Sequence, residues 1–233
     1  TRFAVDATTG ELVPQAMSEA LGHGAWALAA GEADGLPGKE IIVGTYRGLF
    51  VLDRVSLALI DSNRNLPWGM SRLGPMKVAD PGLTGRAFAL VASDIGTLSL
   101  WSLDDLSAPF AEYFEPGIVD LEVLSAGNGV IEFAVLSYRG HVARMRWDLN
   151  GAQPVMTLVA VSPRLNGLPL DLEKADIDAG SPGEELAVLL ETTVGAHHES
   201  IAVLDQNLQV VNMSFTRAFQ DAEVRGLRLV PAA

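Results

Sequence analysis

The chain has 233 residues, of which 48% are hydrophobic and 19% are charged, so it can fill an apolar core and is not predicted to be disordered. Its formal net charge of −13 argues against nucleic acid as a partner and against docking on anionic membranes. Because it has no cysteine, a disulfide framework, a zinc–thiolate site and a cysteine nucleophile are excluded. No apolar run is long enough to span a bilayer, so no membrane insertion is predicted.

A strand, a polar turn and a returning strand are predicted first, in "RFAVDATTGELV", residues 2–13. Residues 14–22, "PQAMSEALG", are the one stretch compatible with a short helical turn. From residue 23 onward the β-rich runs come in groups of four, which span residues 23–66, 67–116, 117–166 and 167–218. A last apolar run, "VRGLRLVPAA", ends the chain within residues 219–233.

One short word recurs at the turn between the second and third runs of a group. It reads Thr45-Tyr46-Arg47-Gly48 in the first group and Ser137-Tyr138-Arg139-Gly140 in the third, with Ser93-Asp94-Ile95-Gly96 between them. The glycine is expected to supply the positive φ that a tight hairpin needs. A second marker is an apolar run that ends in aspartate before a turn, at Asp6, Asp53, Asp104, Asp148 and Asp205. Successive aspartates define a repeat of roughly 44 to 57 residues.

Four short antiparallel strands repeated at this length predict an all-β chain with the fold of a β-propeller, in which each group of strands is one blade. We number the four groups as blades 1 to 4 and predict a single domain over residues 1–233 with about five blades. The fifth blade would be assembled from both ends, with residues 1–22 supplying outer strands and residues 219–233 an inner closing strand. The alternative is a segment of a larger propeller.

The unit resembles the FG-GAP/VCBS-type repeat, in which an inner strand leads into an acidic loop and then an apolar strand. The likeness is carried by "GEADGLPGKEIIVGTYRGLFVLD" in blade 1 and "ADIDAGSPGEELAVLLE" in blade 4. It implies a binding or assembly role, since the family includes integrin-like heads, extracellular adhesion and carbohydrate-active proteins, and intracellular scaffolds. It also implies that the acidic loop can bind calcium, which takes several oxygen ligands at short spacing.

The calcium ligands that the resemblance implies are Asp176, Asp178 and Glu184 in blade 4 and Glu32, Asp34 and Glu40 in blade 1. Both loops depart from the family's pattern, because Gly180 and Leu36 stand where a third acid is expected. The alternative is that these acids are solvated turn residues.

In a propeller, the turns between second and third strands share one face. The residues predicted to lie on that face and to bind a partner are Tyr46, Arg47, Asp94, Tyr138, Arg139, His197 and His198. Tyrosine and arginine are enriched among the residues that dominate binding energies, which makes this the predicted partner surface. The alternative is that Tyr-Arg-Gly is favourable hairpin chemistry repeated by duplication.

No nucleophile elbow, zinc-binding H-E-x-x-H helix or phosphate-binding loop is present, so an enzyme is not favoured. Trp26, Trp68, Trp101 and Trp147 are spaced with the blades and are expected to pack between them rather than to form sugar platforms. The sequence therefore predicts a non-enzymatic binding or scaffold propeller for protein–protein or adhesion contacts, with calcium as the candidate cofactor. A glycan-binding, lectin-like propeller and a carbohydrate-active enzyme are the alternatives. The compartment stays open, with a secreted or extracellular setting favoured.

Overall fold

The computed structural model describes residues 1–6, 8–33, 39–66, 73–83, 86–93, 95–114, 117–175, 185–192 and 198–217. Within these ranges the chain is all-β, with four four-stranded antiparallel sheets and one two-stranded hairpin. No helix in the described part of the chain is long and apolar enough to cross a membrane. The chain divides into two compact units, residues 1–114 and residues 115–233.

The first unit contains the N-terminal hairpin and the sheets of blades 1 and 2. The hairpin pairs β1 (Arg2–Val5) with β2 (Leu12–Ala16). The sheet of blade 1 consists of β3 (Ala25–Gly31), β4 (Glu40–Thr45), β5 (Leu49–Leu52) and β6 (Leu59–Asn63). The sheet of blade 2 consists of β7 (Leu73–Leu83), β8 (Arg86–Ser93), β9 (Thr97–Ser102) and β10 (Ala111–Phe114).

The second unit contains the sheets of blades 3 and 4. Blade 3 consists of β11 (Ile118–Gly127), β12 (Val130–Ser137), β13 (Val142–Asp148) and β14 (Val155–Val161). Blade 4 consists of β15 (Leu168–Ala175), β16 (Glu185–Thr192), β17 (His198–Leu204) and β18 (Val210–Arg217). In all four sheets each strand pairs with the next along the chain, so each sheet is an antiparallel meander.

In each unit the buried apolar residues form a cluster that two successive sheets share. Ile42 and Val51 of blade 1 belong to the same cluster as Trp101 of blade 2. In the second unit, Leu136 of blade 3 belongs to the same cluster as Leu172 of blade 4. The alternation of apolar and polar residues along each strand therefore buries side chains against the neighbouring sheet, as stacked blades require.

Two of the four tryptophans are core residues. Trp101 is fully buried, and its indole N–H donates a hydrogen bond to Ser99 Oγ at 2.8 Å. Trp147 is 2% exposed and packs against Phe133, with 5.6 Å between the ring centroids. The expected packing role does not hold for Trp26, whose side chain is 53% exposed. Trp68 lies outside the described residues.

The recurrent aspartate has a local role at the turn between the third and fourth strands of a sheet. Asp53 Oδ1 accepts hydrogen bonds from the backbone N–H groups of Val55 and Ser56 and from Ser56 Oγ. Asp205 Oδ1 accepts from Asn207 N–H and Gln209 N–H in blade 4. The same arrangement at Asp6 closes the N-terminal hairpin, whose turn bonds come from Thr8 and Thr9. The carboxylate therefore replaces the backbone partners that the turn lacks.

We expect Asp53→Ala to lower the melting temperature at neutral pH and to have no effect at strongly acidic pH. The Ser56 hydroxyl, followed by the Ser56 N–H, holds the pKa of Asp53 below its ordinary value of 3.8. A lowered folded-state pKa stabilises the fold above the unfolded-state pKa, and this contribution is lost as pH falls through the folded-state pKa. Thermal melts at pH 7 and at about pH 2 to 3 would show the difference, and an equal deficit at both would contradict it.

Two local expectations differ from the structure. Gly96 and Gly140 have φ values of 90° and 81°, as predicted, but Gly48 is not in the left-handed region. Gly48 is required for space instead, because a Cβ there would lie 2.6 Å from Cε2 of Phe50. The helical turn expected within residues 14–22 is also wrong, since Pro14 lies in β2 opposite Phe3 and the following residues are irregular. Pairing across the hairpin prevails over a weak local helix preference.

Candidate functional site

The hairpin between β4 and β5 holds its two central side chains outward. Thr45 N–H donates to Gly48 O at 2.8 Å, and the Thr45 hydroxyl donates to the same oxygen at 3.1 Å. These bonds join the two residues that flank Tyr46 and Arg47, so Tyr46 and Arg47 form the tip of the turn. Tyr46 is 42% exposed and Arg47 is exposed, as a partner-binding tip requires.

Three side chains form an exposed cluster at this tip, which we call the first tip. The ring of His23 lies 6.1 Å from the ring of Tyr46 between centroids, with the planes tilted by 50°. The Arg47 guanidinium carbon lies 6.0 Å from the centroid of Tyr46, within the range of a cation–π contact. The first tip therefore combines an aromatic surface with a cation, and His23 was not among the predicted partner-binding residues.

The equivalent hairpin between β12 and β13 forms the second tip, which is built differently. Ser137 N–H donates to His141 O at 2.8 Å and Gly140 N–H donates to Ser137 O at 2.9 Å, so the turn is closed by backbone bonds. Tyr138 is 65% exposed and Arg139 is exposed. His141 is directed elsewhere, because its Nδ1 lies 3.1 Å from Ser162 O.

Three of the predicted partner residues receive no side-chain description. Asp94 and His197 lie outside the described residues, and His198 begins β17 without a described side chain. The first tip belongs to one compact unit and the second tip to the other. Their presence on a common face therefore stays a prediction.

The predicted calcium ligands are described only in part. Asp34, Asp176, Asp178 and Glu184 lie outside the described residues. Glu40 is 5% exposed, and its Oε2 accepts a hydrogen bond from Ala33 N–H at 2.7 Å, so this oxygen is occupied by a backbone donor that follows β3. Within the described ranges, no group of three or more acidic or histidine side chains is placed to hold a metal ion.

A pair of carboxyl groups that sequence reasoning did not select joins blade 3 to blade 4. Asp120 on β11 and Asp171 on β15 each follow an irregularity in the strand pairing. Asp120 Oδ2 accepts a hydrogen bond from Leu172 N–H at 3.0 Å, and Asp171 Oδ1 accepts from the same N–H at 3.1 Å. Because one oxygen of each carboxyl accepts from the same N–H group, the two carboxyls lie close together. A proton on one of them removes the repulsion between two negative charges, which favours the protonated form.

Burial raises the pKa of Asp120 to about 8, and a hydrogen bond with the Asp171 carboxyl and the negative charge of Asp171 add to the rise. Hydrogen bonds from the N–H groups of Leu172 and Leu121 act in the opposite direction. The sequence signal that could have located this pair is the repeated word Asp-Leu-Glu, at residues 120–122 and 171–173. We interpret the pair as an inter-sheet contact, since both carboxyls are occupied by neighbouring backbone donors.

One pocket in the second unit has a volume of about 160 Å³ and lies between blades 3 and 4. Its charged lining residues are Arg144, Glu132 and Asp205, and Arg144 donates to Glu132 Oε2 at 2.7 Å and to Gln206 O at 3.0 Å. Leu124, Leu186 and Leu208 form much of the remaining lining, and none of the described lining residues is aromatic. An aromatic platform for a sugar ring is therefore not part of this pocket.

The sheets and their order define the class of protein: this is a β-propeller, complete or in part, built from four-stranded antiparallel blades. Among solved structures, the chain is similar to BBS1N, solved in complex with ARL6DN, with a TM-score of 0.58 and 15% identity over 82% of this chain and 54% of that one. It is also similar to the Swd1 β-propeller domain of Myceliophteria thermophila, with a TM-score of 0.54 and 12% identity over 83% of this chain and 55% of that one.

At these identities the likeness shows the fold alone. No family model matches this chain, and no curated protein matches it either. The FG-GAP/VCBS type of repeat thus remains a resemblance, while the propeller fold is confirmed. The chain spans about half the length of the two solved chains that it matches.

Proposed function

We propose that this protein is a non-enzymatic scaffold that binds a protein partner through its exposed Tyr-Arg hairpin tips. The observation that carries the proposal is the first tip, where the Tyr46 ring lies about 6 Å from both the His23 ring and the Arg47 guanidinium on a closed turn. A rigid turn that presents an aromatic ring and a guanidinium loses little conformational entropy on binding. Such side chains are the usual energetic centre of a protein interface.

The charge distribution of the chain favours a partner that presents acidic or aromatic groups to the two tips. The whole chain has a net charge of −13, so Arg47 and Arg139 are local positive positions on an acidic molecule. Positive positions of this kind orient an approaching acidic group and select against wrong orientations. The second tip adds Tyr138 and Arg139 with the same chemistry, and no histidine ring among the described side chains contacts Tyr138.

The structural neighbours support the same class of role. BBS1N was solved in complex with a protein, ARL6DN. A propeller offers a stable platform from which hairpin tips contact other proteins without any change in the fold. Adhesion as the setting of this binding is part of the proposal by resemblance only.

The glycan-binding alternative gains no comparable support. A lectin-like propeller should present similar pockets with an aromatic wall, whereas the described residues that line the pocket between blades 3 and 4 include no aromatic side chain. Trp101 and Trp147 are buried and cannot stack on a sugar. The carbohydrate-active alternative would need carboxyls free for acid–base work, and Asp120 does not supply one, because it accepts bonds from two backbone N–H groups.

We expect the double variant Arg47→Ala, Arg139→Ala to weaken partner binding by about 1–4 kcal/mol, the usual effect of truncating residues at an interface centre. Both side chains are exposed, so the melting temperature should change little. The partner would be captured from the source cells by cross-linking, identified by mass spectrometry, and titrated against each variant by calorimetry.

Arg54→Ala is the matched control, because Arg54 is also an exposed arginine but lies in the turn after β5, at the opposite end of that strand. Its affinity should equal that of the unaltered protein. An early-melting double variant would show that the arginines are structural. Unchanged affinity would show that the Tyr-Arg-Gly motif recurs because the blade was duplicated and that it has no role in binding.

We also propose, by the resemblance to the FG-GAP/VCBS-type repeat, that calcium stabilises the acidic loop of blade 4 through Asp176, Asp178 and Glu184. The blade 1 loop fits a cation less well, since Glu40 already uses one oxygen on Ala33. With an acid missing at the third position, binding should be weak, with a Kd of about 10⁻⁴–10⁻³ M. Calorimetry should detect it, and Asp178→Asn should abolish it. Absence of both heat and a melting shift at millimolar calcium would remove the proposal.

A further inference from the structure

The outermost strand of blade 3 is an exposed and uncharged edge. β14 pairs with β13 on one side, and no described strand pairs with its other edge. The stretch 150–163, which includes β14, contains no charged residue. Val155, Leu158, Val159 and Val161 are each between 48% and 58% exposed. Such a strand presents unpaired backbone N–H and C=O groups beside apolar side chains, which is what an added strand needs.

The outer strands of the other three blades are less suited to this role. β6 contains Asp61, β10 contains Glu112 and β18 contains Arg217. A charged side chain on an edge strand hinders the addition of another strand, because pairing removes the charge from water. β6 and β10 are also shorter, with 5 and 4 residues against 7 in β14. Among the outer strands that the structure describes, β14 therefore combines length with the absence of charge.

Two exposed arginines lie beside β14. Arg146 on β13 pairs with Thr157, so both side chains lie on the same side of the sheet. Arg164 follows β14 and lies beside the second tip, because its Cγ would be 3.8 Å from a Cβ placed on Gly140. Within the described part of the chain, neither arginine forms an ion pair. An incoming segment therefore meets two positive groups along this edge.

The acids nearest to β14 are already occupied. Glu132 lies opposite Arg146 on β12, but its Oε2 binds Arg144 at 2.7 Å. Asp148 lies at the other end of β14, and its Oδ1 accepts two hydrogen bonds within its own turn. The end of β14 near Arg164 is therefore positive and the end near Asp148 is not, on a molecule whose net charge is −13. This asymmetry favours an occupant that carries acidic groups at one end.

We propose that β14 is the docking site of a partner protein, which contributes an extended segment of alternating apolar residues with acids at its amino end and centre. The segment adds to blade 3 as a fifth, antiparallel strand, the orientation of every other pair in this sheet, so its amino end lies beside Arg164. A glutamate opposite Thr157 reaches Arg146, since strands two apart are separated by about 10 Å, within the combined reach of two long side chains. The inference goes beyond the binding proposed for the hairpin tips and does not depend on it.

A second copy of this chain fits β14 less well. Antiparallel pairing of β14 with itself brings the Arg146 side chains of both copies to the same pair of strands, because each lies beside its own Thr157. Each copy also has a net charge of −13, so the two molecules repel each other as they approach. An acidic segment of another protein instead meets Arg146 and Arg164 with opposite charge.

The probe is a short synthetic peptide of alternating valine and threonine, with glutamates at its amino end and centre, and its binding is measured by fluorescence anisotropy. It should bind, and its addition should slow amide hydrogen exchange within residues 155–161, because the added strand protects the backbone of β14. A peptide of the same composition with its glutamates at the carboxyl end should bind more weakly. Failure to bind at millimolar peptide, equal binding of the two peptides, or unchanged exchange within residues 155–161 would each overturn the proposal.

Charge exchange tests the contact with Arg146. Arg146→Glu should weaken binding by about three- to tenfold, and a peptide with lysine in place of each glutamate should bind this variant better than it binds the unaltered protein. Arg54→Glu is the matched control, because Arg54 is an exposed arginine of the other compact unit, and it should leave the affinity unchanged. Equal affinities of the two variants for the original peptide would contradict the proposal.

Two further measurements separate β14 from the hairpin tips and from self-association. The double variant Arg47→Ala, Arg139→Ala should bind the peptide as tightly as the unaltered protein does. Loss of binding in that variant would place the peptide on the tips, which would refute this inference and leave the proposed function standing. Sedimentation velocity should show no dimer that depends on β14. A dimer that Leu158→Lys disperses would show that a second copy occupies the strand, and the proposal would be wrong.

Discussion

Replacement of Asp120 by asparagine is expected to make the free energy of unfolding less dependent on pH between about pH 4 and pH 8. The folded-state pKa of Asp120 is raised from 3.8 to about 8, so in this window the folded chain holds a proton that the unfolded chain has released. Stability therefore falls as pH rises through the window, by at most about 1.4 kcal/mol per pH unit, and is constant above it. Asparagine does not titrate, and removes this slope.

Chemical denaturation at a series of pH values would measure the slope for both proteins. The amide carbonyl introduced by Asp120→Asn retains one acceptor for the two N–H groups that Asp120 binds, so a constant loss at low pH is also expected. At about pH 8 the variant should equal or exceed the unaltered protein. Asp53→Asn is the control, because the lowered pKa of Asp53 confines its pH dependence to acid conditions. Parallel curves for Asp120→Asn and the unaltered protein would contradict a shared proton.

Trp101→Ala is expected to destabilise the protein by about 3–5 kcal/mol, the range for removing a fully buried aromatic side chain. Trp101 is completely buried in the cluster shared by blades 1 and 2, and its loss also leaves Ser99 without the indole donor. Equilibrium denaturation should show a lower midpoint with a similar slope. Because this loss is a large fraction of the stability of an ordinary domain, expression should fall as well.

Tyr138→Ala is the matched comparison, an aromatic side chain that is 65% exposed at the second tip. It should change stability by no more than about 0.5 kcal/mol. If Trp101→Ala were equally mild, the packing of blade 1 against blade 2 described by the core cluster would be wrong.

The strands and their grouping were predictable because each is a local, repeated pattern. Asp53 and Asp205 lie in turns that their own carboxylates close, so the neighbouring residues in the sequence are enough to predict these turns. The Tyr-Arg tips were located for the same reason, since Tyr46 and Tyr138 stand in turns closed by bonds within a few residues. His23 at the first tip was missed because its contact with Tyr46 depends on how β3 enters the sheet.

Side-chain contacts between sheets could not be predicted from neighbouring residues in the sequence. Asp120 and Asp171 read as ordinary strand acids, and only the packing of β11 on β15 brings both to the N–H of Leu172. Gly48 reads as a positive-φ turn residue, yet the nearby Phe50 ring is what excludes a side chain there. Leu28 reads as one more core leucine of a first strand, yet its side chain is 68% exposed, whereas Leu121 and Leu172 are fully buried.

Amino-acid order by itself determined the all-β class, the four meanders and the turn that ends each third strand, because alternation, turn chemistry and repetition act within one strand or one hairpin. Tertiary structure alone decided which of the described tryptophans are core, which two carboxyls meet at one backbone N–H group and which first-strand leucine is exposed. These depend on distances between residues far apart in the chain, and such distances are set when whole sheets pack face to face. Burial and pKa depend on that packing, which is why the pKa of Asp120 in blade 3 is raised and that of Asp53 in blade 1 is lowered.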